Sequence, residues 1–232
     1  MKITWLGHAG FRIETAGQVL LLDPWLRGNP VFDEARFDEV IAGATHVLIT
    51  HGHGDHSGNG VEIAKATGAS VVGIYDWISW IAGEGSGIDG NGMNKGGTVQ
   101  LGDVAVTMVN AVHSSSVSGP GGAPVYAGCE SGFVIAAEGR RLYVAGDTDV
   151  MADMAVFQDL HNPTHAILPI GGHFTMDAKR AAYAVKKFFT LEAVIPCHYK
   201  TFPLLAQSAD EFTKLVAPLT VLAPDVMETV EI

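Results

Sequence analysis

Cysteine is nearly absent: Cys129 and Cys197 are the only two in 232 residues. Two thiols cannot build a disulfide framework, so a reducing, cytoplasmic setting is the expectation. Basic residues are scarce as well. Fourteen Lys and Arg stand against 25 Asp and Glu, a net charge of −11. That balance argues against a nucleic-acid surface, which needs clustered cations on phosphates. No apolar run approaches the roughly 18 residues of a bilayer span. The opening MKITWLGHAGF passes from one Lys straight into strand-like alternation and does not read as a signal peptide. Charged residues make up 17% and apolar residues 47% of the chain, which excludes a disordered chain. The length suits one sizeable core, expected as a single domain over residues 1–232. What is plentiful is histidine, with ten in a chain otherwise poor in charge.

Short apolar runs separated by glycine-rich turns dominate the chain. Ile3–Leu6, Phe11–Thr15 and Val19–Leu22 read as strands, the last two joined at Ala16-Gly17-Gln18. Phe37, Val40 and Ile41 mark a short amphipathic helix, and Val47–Thr50 a buried strand ending at His51. Gly60–Thr67 reads as a helix stopped by Gly68, and Ser70–Ile74 as a strand. Ser79–Ala82 begins or ends a helical turn before a long Gly83–Gly97 loop. Hairpins follow at Thr98–Leu101 with Val104–Val109 and at Phe133–Ala137 with Leu142–Ala145. Ala166–Pro169 and Ala193–Pro196 are short buried strands. Thr175 is placed to cap a helix over Met176–Phe189, and Ser208 with Glu211 to form a capping box on a helix through Val216. No repeat or linker divides the chain. Strands in hairpins with interspersed helices point to a layered α/β or α+β domain holding two sheets.

The sharpest feature is His51-Gly52-His53-Gly54-Asp55-His56, directly after a strand. In extended chain, residues two apart point the same way, so His51 and His53 can serve one point. The glycines then let the chain turn, and Asp55 and His56 can serve a second point nearby. Three imidazoles and a carboxylate suit a divalent ion of borderline N/O preference, most naturally zinc. A catalytic ion draws its other ligands from distant loops. His113, Asp147 and His198 each follow an apolar run at its carboxyl end, as His51 does.

These residues in this order resemble the metallo-β-lactamase superfamily: Asp23 in Leu-Leu-Leu-Asp-Pro, the H-x-H-x-D-H block at 51–56, His113, Asp147 and His198. The match spans about three quarters of the chain. Leu6-Gly7-His8-Ala9-Gly10-Phe11 and Phe174-Thr175-Met176 look like the small bacterial hydrolase branch, similar to the ascorbate-6-phosphate lactonase group. That branch is more distantly similar to the phospholipase D type acting on N-acylethanolamine phospholipids. The resemblance implies a four-layer αβ/βα sandwich with its metal site on the rim between two sheets. It also implies two divalent ions, zinc first, with manganese or iron(II) accommodated by the same ligands. His51, His53 and His113 would hold one ion, and Asp55, His56 and His198 the other, with Asp147 bridging. Asp23 would accept a hydrogen bond from a ligand imidazole and orient it.

Such a pair of ions gives hydroxide at neutral pH for attack on a carbonyl or phosphoryl centre. Two cations, two carboxylates and one hydroxide sum to a formal charge of about +1, which favours a small anionic ester, lactone or phosphoester. Asp55 is then both a ligand and a group able to orient the hydroxide or carry its proton. His8, in a glycine-flanked turn, and His173, after a buried strand, are candidates to bind substrate or stabilise an oxyanion. Structural hydrogen bonding is the competing role for both. His46, His161 and His165 are expected at the surface or strand edges, Cys197 in the core, and Ser114–Ser116 near the pocket. The 117–124 segment, VSGPGGAP, is placed to act as a mobile lid. Trp77 and Trp80, three apart on a helix, are expected to be core.

A phosphodiesterase or nuclease is the competing enzyme. Against it, Arg140-Arg141, Lys179-Arg180 and Lys186-Lys187 are too small and scattered for a polynucleotide track. A β-lactamase would be expected to carry a secretion signal. A non-catalytic metal-binding scaffold would be expected to lose ligands that this chain keeps.

Overall fold

Ala16-Gly17 and Glu138-Gly139 are two-residue turns with positive φ at both positions, 47° and 75° in the first and 53° and 75° in the second. That backbone joins right-twisted antiparallel strands without splaying them, and each turn lies in a different sheet. The structure, a computed structural model, describes residues 1–232 throughout.

The first sheet contains β1 (Lys2–Trp5), β2 (Phe11–Thr15), β3 (Gln18–Leu22), β4 (His46–Leu48), β5 (Ser70–Ile74), β6 (Gly90–Met93) and, beside β1, the C-terminal β16 (Thr229–Glu231). The second contains β7 (Thr98–Leu101), β8 (Val104–Asn110), β11 (Ser131–Ala137), β12 (Arg140–Val144), β13 (His165–Pro169), β14 (Ala193–Cys197) and β15 (Thr220–Val221). Each sheet is antiparallel on one side and parallel on the other, changing over at β3 in the first and β12 in the second. The parallel strands β13 and β14 are buried along their whole length, which is why they read as continuous apolar runs rather than alternation. A separate hairpin pairs β9 (Ser116–Ser118) with β10 (Pro124–Tyr126).

The helices are α1 (Phe37–Ile41), α2 (Gly54–Ser57), α3 (Gly60–Thr67), α4 (Tyr75–Ile81), α5 (Asp153–His161), α6 (Ala178–Phe188) and α7 (Asp210–Val216). Helices α3 and α4 pack on β4–β6, while α5–α7 pack together on the second sheet, where Phe157 meets Tyr143 of β12 at 5.7 Å between rings. One apolar cluster of 59 buried residues runs through both sheets, so the layers form the expected αβ/βα sandwich. At the end far from the β3, β4, β12 and β14 carboxyl termini, the two turns clip together. Glu138 there accepts from Thr15 Oγ1 (2.7 Å) and Ala16 N (3.1 Å). No helix is long and apolar enough to cross a membrane.

Several local expectations change. The Gly83–Gly97 loop contains β6, whose GNGM sequence carries no β-forming run. A Cβ at Gly90 would lie 2.6 Å from Ala82 Cβ, and one at Gly92 3.2 Å from Tyr75 Cα. Bare glycine is therefore what lets this edge strand tuck under α4. The helical turn at Ser79–Ala82 is the end of α4, with Trp77 in the core and Trp80 66% exposed. Helix α6 is capped by Asp177, not Thr175: the Asp177 carboxylate accepts from Arg180 N (2.8 Å), while Thr175 lies in the preceding turn. Ser208 accepts from Asp210 N (3.3 Å), but no reciprocal box forms with Glu211. The 117–124 segment is not an open loop, because its ends are the paired strands β9 and β10. His165, expected at the surface or a strand edge, is the first residue of β13 and is buried there (5% exposed), with Nδ1 3.0 Å from Thr164 Oγ1.

Candidate metal centre

The chain turns away from the sheets at one rim, and the turning residues carry the chemistry. After β3, Asp23 adopts a left-handed backbone (φ 42°), and His198 does the same after β14 (φ 56°). Non-glycine residues hold that conformation only where the surroundings fix it. After β4 the chain bends through Thr50–Gly52, is extended at His53, and α2 then presents Asp55 and His56. Gly52 has no room for a side chain, with Ala127 Cβ 2.6 Å from where its Cβ would stand. Gly146, just before Asp147, would meet Thr50 Cβ at 3.1 Å. These two close approaches let the second sheet's loops reach the histidine block of the first.

Asp147 is the centre of the result. Its Oδ2 lies 3.1 Å from His198 Nε2, 3.3 Å from His56 Nε2 and 3.6 Å from His113 Nε2. Ligand atoms about 2.1 Å from a shared ion stand about 3.0–3.4 Å apart, which is the spacing of the two shorter pairs. His51 Nε2 lies 3.0 Å from His53 Nδ1. Donor atoms that could share an ion fall into three overlapping groups: His51, His53 and His113; His51, His56 and Asp147; and His8, Asp55, His56 and His198.

Six buried polar side-chain atoms lack a hydrogen-bond partner, and four of them are His56 Nε2, both ring nitrogens of His198, and Asp147 Oδ1. Leaving such atoms unpaired costs about 1–3 kcal/mol each. Imidazole nitrogens and carboxylate oxygens converging in a buried site match the donor chemistry of a divalent cation.

Beneath the cluster, Asp23 is 1% exposed. Its Oδ1 accepts from Thr50 N (2.8 Å), and its Oδ2 from Thr50 Oγ1 (2.6 Å) and His56 Nδ1 (2.8 Å). Thr50 gives its one proton to that carboxylate, so its oxygen must accept from His51 Nδ1, 3.0 Å away. One carboxylate thereby fixes a proton of two imidazoles on Nδ1 and turns both Nε2 atoms toward the cluster.

Burial lowers the pKa of His51, His53 and His113. Burial would lower His56 too, but Asp147 and Asp23 overcome it and hold that pKa well above the usual value. The Asp147 carboxyl stays well below the usual carboxylate range because His198 and His56 outweigh its burial. Asp55 is also held down, with burial outweighed by the hydrogen bond from His8 and by His56. Burial takes His8 down to about 4.

A cavity of about 450 Å³ opens onto the cluster. Apart from His53, Asp55, His113, Asp147 and His198, its walls are Ser114, Phe174 and Phe202. No lysine or arginine lines it. His173, expected as a pocket residue, is exposed and lies outside that lining, its ring set against Phe174 at 4.5 Å. The turn aims the aromatic neighbour inward instead. His8 is fully buried and likewise absent from the lining. Ser115 supports the block, its Oγ accepting from Gly52 N (3.1 Å). Local spacing gave no sign of Thr50, Thr201 or Phe202.

A sequence profile described as the Beta-lactamase superfamily domain matches residues 2–198. The chain belongs to that superfamily. Within the β-lactamase superfamily, a UPF0173 metal-dependent hydrolase from Dinoroseobacter shibae is 62% identical over 232 residues, covering 100% of both chains. Another from Paracoccus denitrificans is 57% identical over 231 residues, 99% of each. The chain is thus a metal-dependent hydrolase of the UPF0173 family. Among solved structures, Igni18, a metallo hydrolase from the archaeon Ignicoccus hospitalis, superposes with a TM-score of 0.86 at 33% identity, covering 99% of this chain and 97% of that one. The metallo-β-lactamase fold protein YhfI of Bacillus subtilis has a TM-score of 0.75 at 15% identity, covering 99% of each chain, and shares the fold.

Proposed function

We propose that this hydrolase works with two divalent ions and a hydroxide held between them, acting on a small ester, lactone or phosphoester. His51, His53 and His113 would hold one ion and Asp55, His56 and His198 the other, with Asp147 available to both. Zinc suits the donors best, with manganese or iron(II) as alternatives. The observation carrying this reading is the crowding of three imidazole nitrogens within 3.6 Å of one Asp147 oxygen, among buried lone pairs that nothing else satisfies. Bound there, the ions supply Lewis acidity and a water acidic enough to lose its proton near neutral pH.

The chain's own residues do the rest. Asp23 and Thr50 keep His51 and His56 in the ligating tautomer. Asp55 lines the cavity and can carry a proton to the leaving group. Phe174 and Phe202 pack the substrate's apolar part and exclude water. Because the lining holds no cationic side chain, any preference for an anionic substrate comes from the ions' charge alone. The same lack supports a small-molecule substrate over a nucleic acid. Free Cys129 and Cys197 support a cytoplasmic setting.

The test is metal content by mass spectrometry after stripping and reloading, with hydrolysis assays on lactones, phosphodiesters and β-lactams. Two equivalents per chain and chelator-sensitive hydrolysis are expected, and Asp55→Ala should lose most turnover. Fewer than two equivalents, hydrolysis indifferent to chelation, or full turnover in metal-loaded Asp55→Ala would each overturn the reading.

A further inference from the structure

We propose that Thr201 and His8 form a buried, directional hydrogen-bond relay that sets the orientation of Asp55, which makes His8 a positioning residue. The inference rests on Asp55 serving the second ion as proposed above. His8 is 0% exposed, and each ring nitrogen has one partner: Nδ1 lies 2.6 Å from Thr201 Oγ1, and Nε2 lies 3.0 Å from Asp55 Oδ2. A carboxylate can only accept, so the proton on this side belongs to His8 Nε2. In the neutral ring Nδ1 is then bare, and Thr201 must donate to it. The Thr201 hydroxyl makes no other hydrogen bond, and the Asp55 carboxylate receives no other. The direction runs Thr201 O–H to Nδ1, then Nε2–H to Asp55.

The ring itself cannot drift. The His8 carbonyl accepts from Trp5 Nε1 (3.0 Å) and from His198 N (2.9 Å). Trp25 and Phe202 stand edge-on to the imidazole at 5.3 and 5.4 Å. The left-handed backbone of His8 (φ 54°) is what brings both its carbonyl and its ring to these partners. Asp55 sits on a four-residue helix of the first sheet's loops, and Thr201 follows His198 in a loop of the second. His8 therefore ties together two groups assigned to the same ion, Asp55 through its ring and His198 through its carbonyl. It occupies Asp55 Oδ2 and leaves Oδ1 for the ion.

A His8 ring nitrogen also lies close enough to Asp55, His56 and His198 to be a ligand itself, and the experiment separates the two roles. Cobalt(II) is titrated into stripped wild type, His8→Ala, His8→Gln and Thr201→Val, following cobalt per chain, affinity and the visible ligand-field spectrum. The expected result is two cobalt ions in every variant. His8→Ala should bind the ion assigned to Asp55, His56 and His198 about 10–100-fold less tightly with a changed spectrum. His8→Gln, whose amide can still donate to Asp55, should recover most of the affinity. Thr201→Val keeps the side-chain shape and should lose about tenfold, which keeps the test open if His8→Ala fails to fold. Wild-type affinity and spectrum in Thr201→Val and His8→Ala would overturn the relay. Loss of a whole equivalent in His8→Ala, unrestored by His8→Gln, would overturn it in favour of ligation. A wild type that binds fewer than two cobalt ions refutes the dinuclear reading and the relay with it. Two ions with unaffected variants refute the relay alone.

Discussion

Asp23→Asn tests the electrostatic logic beneath the site. In the wild type, three donors converge on the two carboxylate oxygens, from Thr50 N, Thr50 Oγ1 and His56 Nδ1, at 2.6–2.8 Å. Asparagine keeps the shape and replaces one acceptor with a donor. If its NH₂ takes the Oδ2 position, Thr50 must accept from it and donate to His51 Nδ1, and His56 must surrender its Nδ1 proton. Both rings then carry their proton on Nε2, where the ions belong. If the NH₂ takes the other position, it faces the buried Thr50 amide, at a cost of about 1–3 kcal/mol in stability. Loss of such supporting hydrogen bonds lowers metal affinity about 10–100-fold, or about 1.4–2.7 kcal/mol per ion. Competition against a chromophoric chelator should show both ions weakened, with the metal-free protein's urea midpoint moved only modestly. Thr50→Val severs the His51 arm alone and should weaken one ion. An Asp23→Asn protein that binds both ions as tightly as the wild type would refute the tautomer argument.

Three further outcomes follow from particular residues. A Cβ at position 171 would collide with the His198 carbonyl oxygen, so Gly171→Ala should cost about 1–3 kcal/mol and reduce metal affinity; unchanged melting and metal content would contradict the packing. The Tyr143 hydroxyl is buried without a partner, so Tyr143→Phe should leave the thermal midpoint unchanged or raise it, and a clear fall would reveal a hidden partner. His8 is neutral in the fold down to about pH 4, against 6.5 in the unfolded chain. The unfolded state therefore binds more protons between those values, and the stability contribution of this group falls as pH falls through that window. Between pH 7 and pH 5 the metal-free wild type should lose about 2 kcal/mol more than His8→Gln in urea unfolding; equal losses would refute the buried, neutral assignment.

Most of the framework was legible in the sequence because it depends on neighbours along the chain. Alternation and turn residues disclosed β2 and β3 and the β11–β12 hairpin, and continuous apolar runs disclosed β13 and β14. What escaped was structure imposed from outside the segment. The β6 segment pairs because α4 and β5 hold it, and Asp177 caps α6 because of where the turn before it points. Thr175 looked equally able when only residue type was considered.

The site divides the same way. By itself the sequence determined that His51, His53, Asp55 and His56 lie together, since strand and turn geometry over six residues leaves their side chains little choice. It also nominated His113, Asp147 and His198 by their place at strand ends, and Asp23 through the superfamily resemblance. Only the tertiary structure decided which atoms meet: three Nε2 atoms around one Asp147 oxygen, Asp23 beneath two rings, and His8 turned inward to Thr201 while His173 stays outside. A contact between residues 193 positions apart leaves no trace in local periodicity. It exists because two sheets pack face to face and bring their strand ends to one rim.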